Sequence, residues 1–319
     1  MTAITAEQLA CDIERFLAFK RALGWTYRRG AATLRSFERF VRQQAGSAPV
    51  ALDIMVARWL ARAPDRKPVT ITLELGVIRQ LCRYRRRTDP DGFVPGRDWA
   101  PQAAKSQFVP TIFSPAEIRR ILVAASEHQG CSIWGPMLRL LILMLYCTGL
   151  RPGEAVRLQL SDVDLQRRTF TIGNSKGKTR IVAFGEDLAQ ELQSYLDQRA
   201  ALATAASPPA LLIRRSGEAL PVKAASAAIR RLFRRLGLKP SQGRVGPRPY
   251  DFRHAFAVHR LSDWYRQGVD IQARLPWLSA YMGHNNVLGT EVYLTATPEL
   301  LALASQRFEA RLRATRRNR

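Results

Sequence analysis

Near the C-terminus the chain reads YMGHNNVLGTEVYLTAT, with His284 directly after Gly283 and Tyr293 nine positions later. A phenolic oxygen becomes a nucleophile once its proton is removed, and a histidine can donate or accept a hydrogen bond near neutral pH. Three other stretches hold groups that could serve such a reaction. TGLRPGEA sets Arg151 between an apolar run and Pro152, with Glu154 three positions on. NSKGKTR puts Lys176 and Lys178 at a glycine-containing turn, from which a lysine can reach a groove or a phosphate. PYDFRHAFAVHRL opens a segment of helical periodicity with Tyr250, Arg253 and His254. Taken singly, each has a plainer reading: a surface arginine, a solvated turn lysine, a packed tyrosine, a polar cap. Tyr281 is a second tyrosine nearby, read as core. His254 and His259 are five apart, a poor spacing for sharing a metal on one helix face, and both read as structural.

The elements that must hold these groups belong to a basic chain of 319 residues, long enough for two domains. Lys plus Arg number 50 against 26 Asp plus Glu, a net charge of +24, spread over the whole length and carried mostly by arginine. That balance points to a polyanionic partner, most simply nucleic acid. An apolar content of 46% is enough to build a core. The N-terminus has no apolar signal segment, and the longest apolar run, LLILMLYCTGL, is too short to cross a bilayer. Cys11, Cys82, Cys131 and Cys147 are far apart with no CxxC spacing, so neither a zinc site nor a disulfide framework is expected. Cys147, inside the apolar run, is expected in the core. These features fit a soluble cytoplasmic protein without a metal or other cofactor.

Periodicity divides the chain in two. Residues 1–107 read as four helices, in AEQLACDIERFLAFKRALG, YRRGAATLRSFERFVRQQ, ALDIMVARWLARA and TITLELGVIRQLCRYRRR. The last ends in a basic cluster holding Arg83, Arg85, Arg86 and Arg87. A Pro- and Gly-rich linker spans 89–111, and residues 108–319 form the second domain. There SPAEIRRILVAA carries a capping box, with Ser114, Pro115 and Glu117 in the right order. LRLLILMLYCTG is apolar nearly all round, as a buried helix is. TFTIG and RIVAF are short β-type runs joined as a hairpin. SAAIRRLFRRLG has a basic face with Arg230, Arg231, Arg234 and Arg235. The expected fold is mainly α with a small antiparallel β-sheet.

The five pieces in this order, TGLRPGE, a hairpin lysine, a box ending in Arg253, GH, and a tyrosine nine later, resemble the tyrosine recombinase (phage integrase) family. The resemblance extends over the whole chain, because the helical N-terminal module is similar to the family's core-binding domain. It implies that Arg151 and Arg253 grip a scissile DNA phosphate, that Lys176 protonates the departing 5′ oxygen, that His284 hydrogen-bonds the phosphate and that Tyr293 is the nucleophile. Glu154 then supports the first arginine. The chemistry is coherent: attack at phosphorus builds negative charge that fixed guanidinium donors stabilise, and a covalent phosphotyrosine conserves the bond energy for rejoining. A cationic site is expected to favour the phenolate. Two departures stand out. The family's second box is usually His-x-x-Arg, and here Tyr250 stands in the histidine's place among the catalytic candidates; it can donate or accept a hydrogen bond but is a poor proton acceptor near neutrality, so either the rate is low or water or another group serves as base. The hairpin is about one residue shorter than usual, which leaves Lys178 a rival to Lys176.

The resemblance further implies a clamp on double-stranded DNA at an inverted-repeat core site, assembled as a homotetrameric synapse or with related recombinases, and a Holliday-junction intermediate. The C-terminal segment PELLALASQRFEARL is expected to dock on a neighbouring protomer, with packing on its own domain as the alternative. Two other readings stay open from sequence: a non-catalytic, DNA-binding accessory relative, and relaxation of DNA in the manner of type IB topoisomerases.

Overall fold

The computed structural model describes residues 3–62, 65–101, 110–127, 133–175, 178–202, 207–243, 245–295 and 298–317. The chain forms two compact units, Met1–Phe108 and Val109–Arg319. In the first, β1 (Ala3–Ile4) leads into α1 (Ala6–Ala22), α2 (Arg28–Ala45), β2 (Val50–Ala51), α3 (Leu52–Ala61) and α4 (Pro68–Arg85). Helix α1 starts where Thr5 and Gln8 cap each other's backbone N–H groups. Its apolar spacing buries Leu9, Ile13, Phe16 and Leu17 against Leu34, Phe37 and Val41 of α2 and Leu75, Ile78 and Leu81 of α4. Strands β1 and β2 pair antiparallel, a feature that two residues per strand are too short to signal in sequence.

The second unit contains α5 (Pro115–Ser126), α6 (Trp134–Thr148), α7 (Pro152–Arg157), β3 (Val163–Asp164), β4 (Thr169–Ser175), β5 (Lys178–Ala183), α8 (Glu186–Leu202), α9 (Val222–Arg235), α10 (Asp251–Arg266), α11 (Ile271–Met282), α12 (Leu288–Glu291) and α13 (Pro298–Arg317). The expected capping box forms at Ser114 and Glu117. Helix α6 is the centre of the core, with Met137, Leu138, Leu140, Leu141, Ile142, Met144 and Leu145 buried. The three-stranded sheet runs β3-β4-β5, all antiparallel. Register is regular from Thr169↔Ala183 to Ile172↔Arg180 and then shifts before Ser175↔Lys178. The irregularity lies within the ladder, between Ile172 and Ser175.

Two local expectations change. Helix α11 was not anticipated, because Pro276 lies inside it and masks its periodicity. Cys147 is exposed although its neighbours are core. Helix α13 packs on α10 of its own chain: Leu300 is fully buried, and Arg307 donates to the carbonyls of Val269 and of Gly268, the latter at 2.7 Å. Among the described residues no helix is long and apolar enough to cross a membrane.

Candidate active site

The site forms where α6, α7, α10, α11 and the strand β5 converge. Helix α6 ends at Gly149 in the left-handed conformation (φ 62°), where a Cβ would sit 2.5 Å from the Phe256 ring. Only glycine fits there. The chain then reverses, and Arg151 becomes the N-cap of α7 with Pro152 at its first position. Glu154, in the first turn, accepts from the Arg151 backbone N–H (3.0 Å) and from Arg151 Nη1 (2.7 Å). Arg151 Nη2 reaches across to the carbonyl of Gly283 (2.9 Å).

A second arginine shares that carboxylate. Arg180 of β5 donates to Glu154 through Nη1 (3.1 Å) and Nη2 (2.9 Å), and through Nε to the carbonyl of Tyr281 (3.0 Å). The Glu154 side chain is 2% exposed, so one buried carboxylate holds two guanidinium groups. Arg180 was not singled out in the sequence; as one arginine among many on a strand it carries no local signal. Gly283 makes the approach possible: at φ 68° its missing Cβ would lie 2.8 Å from Arg180 Nη1.

Arg253 is completely buried on α10. It donates through Nη1 to Gly149 O and through Nη2 to Met282 O, both at 2.6 Å, and so ties the C-terminal ends of α6 and α11 together. Its Nε, also buried, makes no well-formed hydrogen bond among the described residues, while the guanidinium lies close enough to the Tyr293 hydroxyl to act as a donor that opposes the rise in its pKa. His284, one residue beyond the left-handed Gly283, contacts Thr290 Oγ1 through Nδ1 (2.7 Å) and faces the Tyr293 ring at 6.4 Å between centroids. Tyr293 lies on a 3₁₀ turn, Val292–Thr295, and is 3% exposed. Its hydroxyl is 3.0 Å from His254 Nδ1. The sequence reading had left His254 as structural; here it meets the candidate nucleophile directly, whereas His259 bonds the Tyr146 hydroxyl (2.9 Å) away from the site.

Electrostatics differ from the expectation of a stabilised phenolate. Burial pushes Tyr293 up to about 12, outweighing the pull of Arg253 and Arg151 in the opposite direction. Without DNA the site holds a neutral phenol. Tyr281, the rival tyrosine, is also pushed up to about 12 by burial, and its hydroxyl donates to Ala183 O of β5 (2.7 Å). Tyr250 caps α10 with its ring 6.0 Å from the Arg253 guanidinium and edge-on to His254.

The remaining candidates separate. Lys176 lies outside the described residues, and Lys178 is described only as the first residue of β5. In the basic cluster of the first unit, Arg83 and Arg87 are exposed, Arg87 over the Phe19 ring at 4.8 Å. Arg85 instead ion-pairs with Asp12 of α1 (2.7 Å), and Arg86 donates to Gly92 O (2.8 Å). On α9, Ala225, Ala228, Ile229, Leu232 and Phe233 are buried; Arg231 and Arg235 are exposed and Arg230 and Arg234 half-buried. Arg235 also donates to Ala124 O, and Arg234 to Pro240 O (3.3 Å).

Known proteins bear on this arrangement. The model of the phage integrase family matches residues 112–299, more than half of the chain and all of the described site. The chain belongs to the phage integrase family. Members cleave and rejoin DNA strands, and the chain is an enzyme of that class. The putative integrase/recombinase y4rB of Sinorhizobium fredii (strain NGR234) is 32% identical over 305 residues, 94% of this chain and 96% of its own. Among solved structures, the XerH site-specific recombinase bound to palindromic difH substrate in a post-cleavage complex has a similar fold. Its TM-score is 0.67 at 18% identity, over 96% of this chain and 85% of that one. A lambda integrase tetramer bound to a Holliday junction gives a TM-score of 0.63 at 18% identity, over 92% and 78%.

Proposed function

We propose that this family member is a site-specific recombinase of mobile DNA, and that Tyr293 cuts by forming a 3′-phosphotyrosine. The observation that carries the reading is the convergence of Tyr293, Arg253, Arg151 and His284 around one spot, with the Arg253 and Arg151 guanidinium groups both acting on the Tyr293 hydroxyl. Guanidinium donors fixed beside a phenolic oxygen match the oxygens of a phosphate. Arg151 and Arg253 hold the scissile phosphate, His284 adds a hydrogen bond, and Glu154 with Arg180 keeps Arg151 in place. The hairpin lysine, Lys176 with Lys178 as alternative, protonates the leaving 5′ oxygen.

The helical first unit acts as the core-binding half of a clamp on double-stranded DNA. Arg83 and Arg87 there, and Arg230 and Arg231 on α9, contact phosphates; Arg85, Arg86, Arg234 and Arg235 support neighbouring backbone or helices and contribute less. The substrate is a core site with inverted repeats, bound by two protomers per site and four per synapse, alone or with related recombinases. The fold shared with a tetramer solved on a Holliday junction supports that assembly.

The test uses nicked suicide duplexes built from inverted repeats in the DNA flanking the gene, supplemented by nicked duplexes of randomised sequence. The wild-type chain forms a denaturant-stable adduct, Tyr281→Phe does so too, and Tyr293→Phe does not. An adduct that persists in Tyr293→Phe refutes the assignment of the nucleophile. Binding with no adduct on any duplex refutes the catalytic reading in favour of an accessory DNA-binding role.

A further inference from the structure

We infer that His254 is the base that takes the Tyr293 proton during strand cleavage, one helical turn from Tyr250, where the family usually carries its histidine. The inference rests on the strand-transfer reading above and adds a residue to it. The first ground is geometric. Nδ1 of His254 lies 3.0 Å from the Tyr293 hydroxyl, within proton-transfer distance, and the two rings are 5.5 Å apart. Residues four apart on a helix share a face, so a histidine at 254 covers the same side of α10 as position 250.

The second ground is protonation. Among the described residues, charged and titratable groups meet His254 from two sides. Asp251, Arg248, Arg253 and Tyr250 flank it from α10 and its N-terminal approach, and Tyr293, with His284 behind it, faces it from the 3₁₀ turn. Burial, then the two arginines, lower its pKa below the usual histidine range against the opposing pull of Asp251. The imidazole is therefore neutral at neutral pH and has a lone pair to offer. In the Nε2–H tautomer that lone pair is on Nδ1, facing the phenol. Nε2 is 3.9 Å from Asp251 Oδ1, too long for a hydrogen bond but close enough to stabilise an imidazolium. Asp251 is fully buried and held by the Arg248 backbone N–H (2.8 Å) and Arg248 Nη2 (3.3 Å). This order of hydroxyl, imidazole and buried carboxylate is the logic of an activated nucleophile.

The third ground is need. A phenol raised to about 12 is almost wholly protonated at pH 8, a phenolate fraction of about one in 10⁴. Tyr250 cannot relieve this, since a neutral phenol is a poor proton acceptor. In the step, Tyr293 Oη forms a bond to phosphorus, its proton passes to His254 Nδ1, and the bond from phosphorus to the 5′ oxygen breaks. That oxygen takes a proton from the hairpin lysine. On rejoining, the 5′ hydroxyl gives its proton back to the hairpin lysine and bonds to phosphorus, the bond from phosphorus to Tyr293 Oη breaks, and His254 returns its proton to that oxygen.

Three measurements on the full chain test this. Histidine ¹⁵N NMR of the free protein should show His254 neutral and in the Nε2–H tautomer at pH 7.5, with its Nδ1 signal shifting in Tyr293→Phe; an Nδ1–H tautomer or a protonated ring overturns the inference. Adduct formation on the nicked duplex found above should fall at least about 100-fold in both His254→Ala and His254→Gln, the scale of general-base catalysis. Both variants should then gain rate log-linearly with pH, while the wild type levels off above the pKa of His254. His254→Gln keeps a hydrogen-bond acceptor for the phenol without the ability to take a proton, so wild-type rates in that variant overturn the proton-transfer role. Replacing the bridging 5′ oxygen with sulfur removes the need for an acid; it should rescue a lysine variant and leave His254→Ala slow. Rescue of His254→Ala by sulfur makes His254 part of the acid side and overturns its role as base. If wild type forms adduct and His254→Ala matches it, this inference fails while the strand-transfer reading stands. If wild type forms none, both fall.

Discussion

Replacing Glu154 by glutamine removes one charge and leaves the shape of the site almost unchanged, which makes it a sharp probe of how Arg151 is held. Among the described contacts four donors converge on the carboxylate: Oε1 accepts from Arg151 Nη1 and Arg180 Nη1, and Oε2 from the Arg151 backbone N–H and Arg180 Nη2. Whichever way the amide is turned, its NH₂ faces two N–H groups, so two of the four bonds are lost and two guanidinium groups lose their counter-ion. With the carboxylate 2% exposed and its partners 18% and 14%, solvent screens this poorly. Breaking a buried pair in this way costs about 3–5 kcal/mol. Urea unfolding of the full chain, with hydrogen exchange at α6 and α10 to isolate the second unit, measures the loss. Adduct formation should fall with it, as Arg151 loses its anchor. A Glu154→Gln chain within about 1 kcal/mol of wild type would refute the claim that this carboxylate organises the site.

Gly283→Ala should destabilise the second unit by about 1–2 kcal/mol from the left-handed backbone, and by more where Arg180, pinned to Glu154 and Tyr281 O, must move; wild-type stability would show that the arginine is free to swing away. Tyr293 and Tyr281 have folded values near 12, above the usual phenol value of about 10. The stability they add is complete below pH 10 and is lost as pH climbs through 12. Tyr293→Phe should flatten that alkaline decline in a pH series of urea midpoints, and an unchanged slope would contradict a buried neutral phenol. Arg83→Ala should reduce the salt slope of DNA binding by about 1, whereas Arg85→Met should leave the slope alone and lower stability by roughly 1 kcal/mol. Equal effects of the two on the salt slope would remove the distinction between a phosphate contact and a brace between helices.

The sequence carries the fold wherever one helix face is periodic. Leu9, Ile13 and Phe16 announce α1, and the alternating Phe170 and Ile172 announce β4. It does not reveal α11, whose Pro276 looks like a breaker, nor the two-residue strands β1 and β2. For the site, Arg151, Arg253, His284 and Tyr293 could be picked out because glycines, a proline and order along the chain mark them. Arg180 and His254 could not. Arg180 acts through a carboxylate 26 residues away in sequence, and His254 through a hydroxyl 39 residues away. Contacts at that separation depend on tertiary packing, which local periodicity does not encode. The expectation of a phenolate failed for a related reason: counting cations ignores desolvation, and burial is visible only in three dimensions.

Arg253 fastens the ends of two helices with the same guanidinium that is proposed to hold a phosphate. A chain without it must leave two interior carbonyls bare and so is penalised at birth, during maturation of its second unit. Loss of this side chain is expected to lower the yield of folded second unit, so that few crippled copies would persist to compete with intact ones. Folding thereby proofreads a piece of the catalytic equipment.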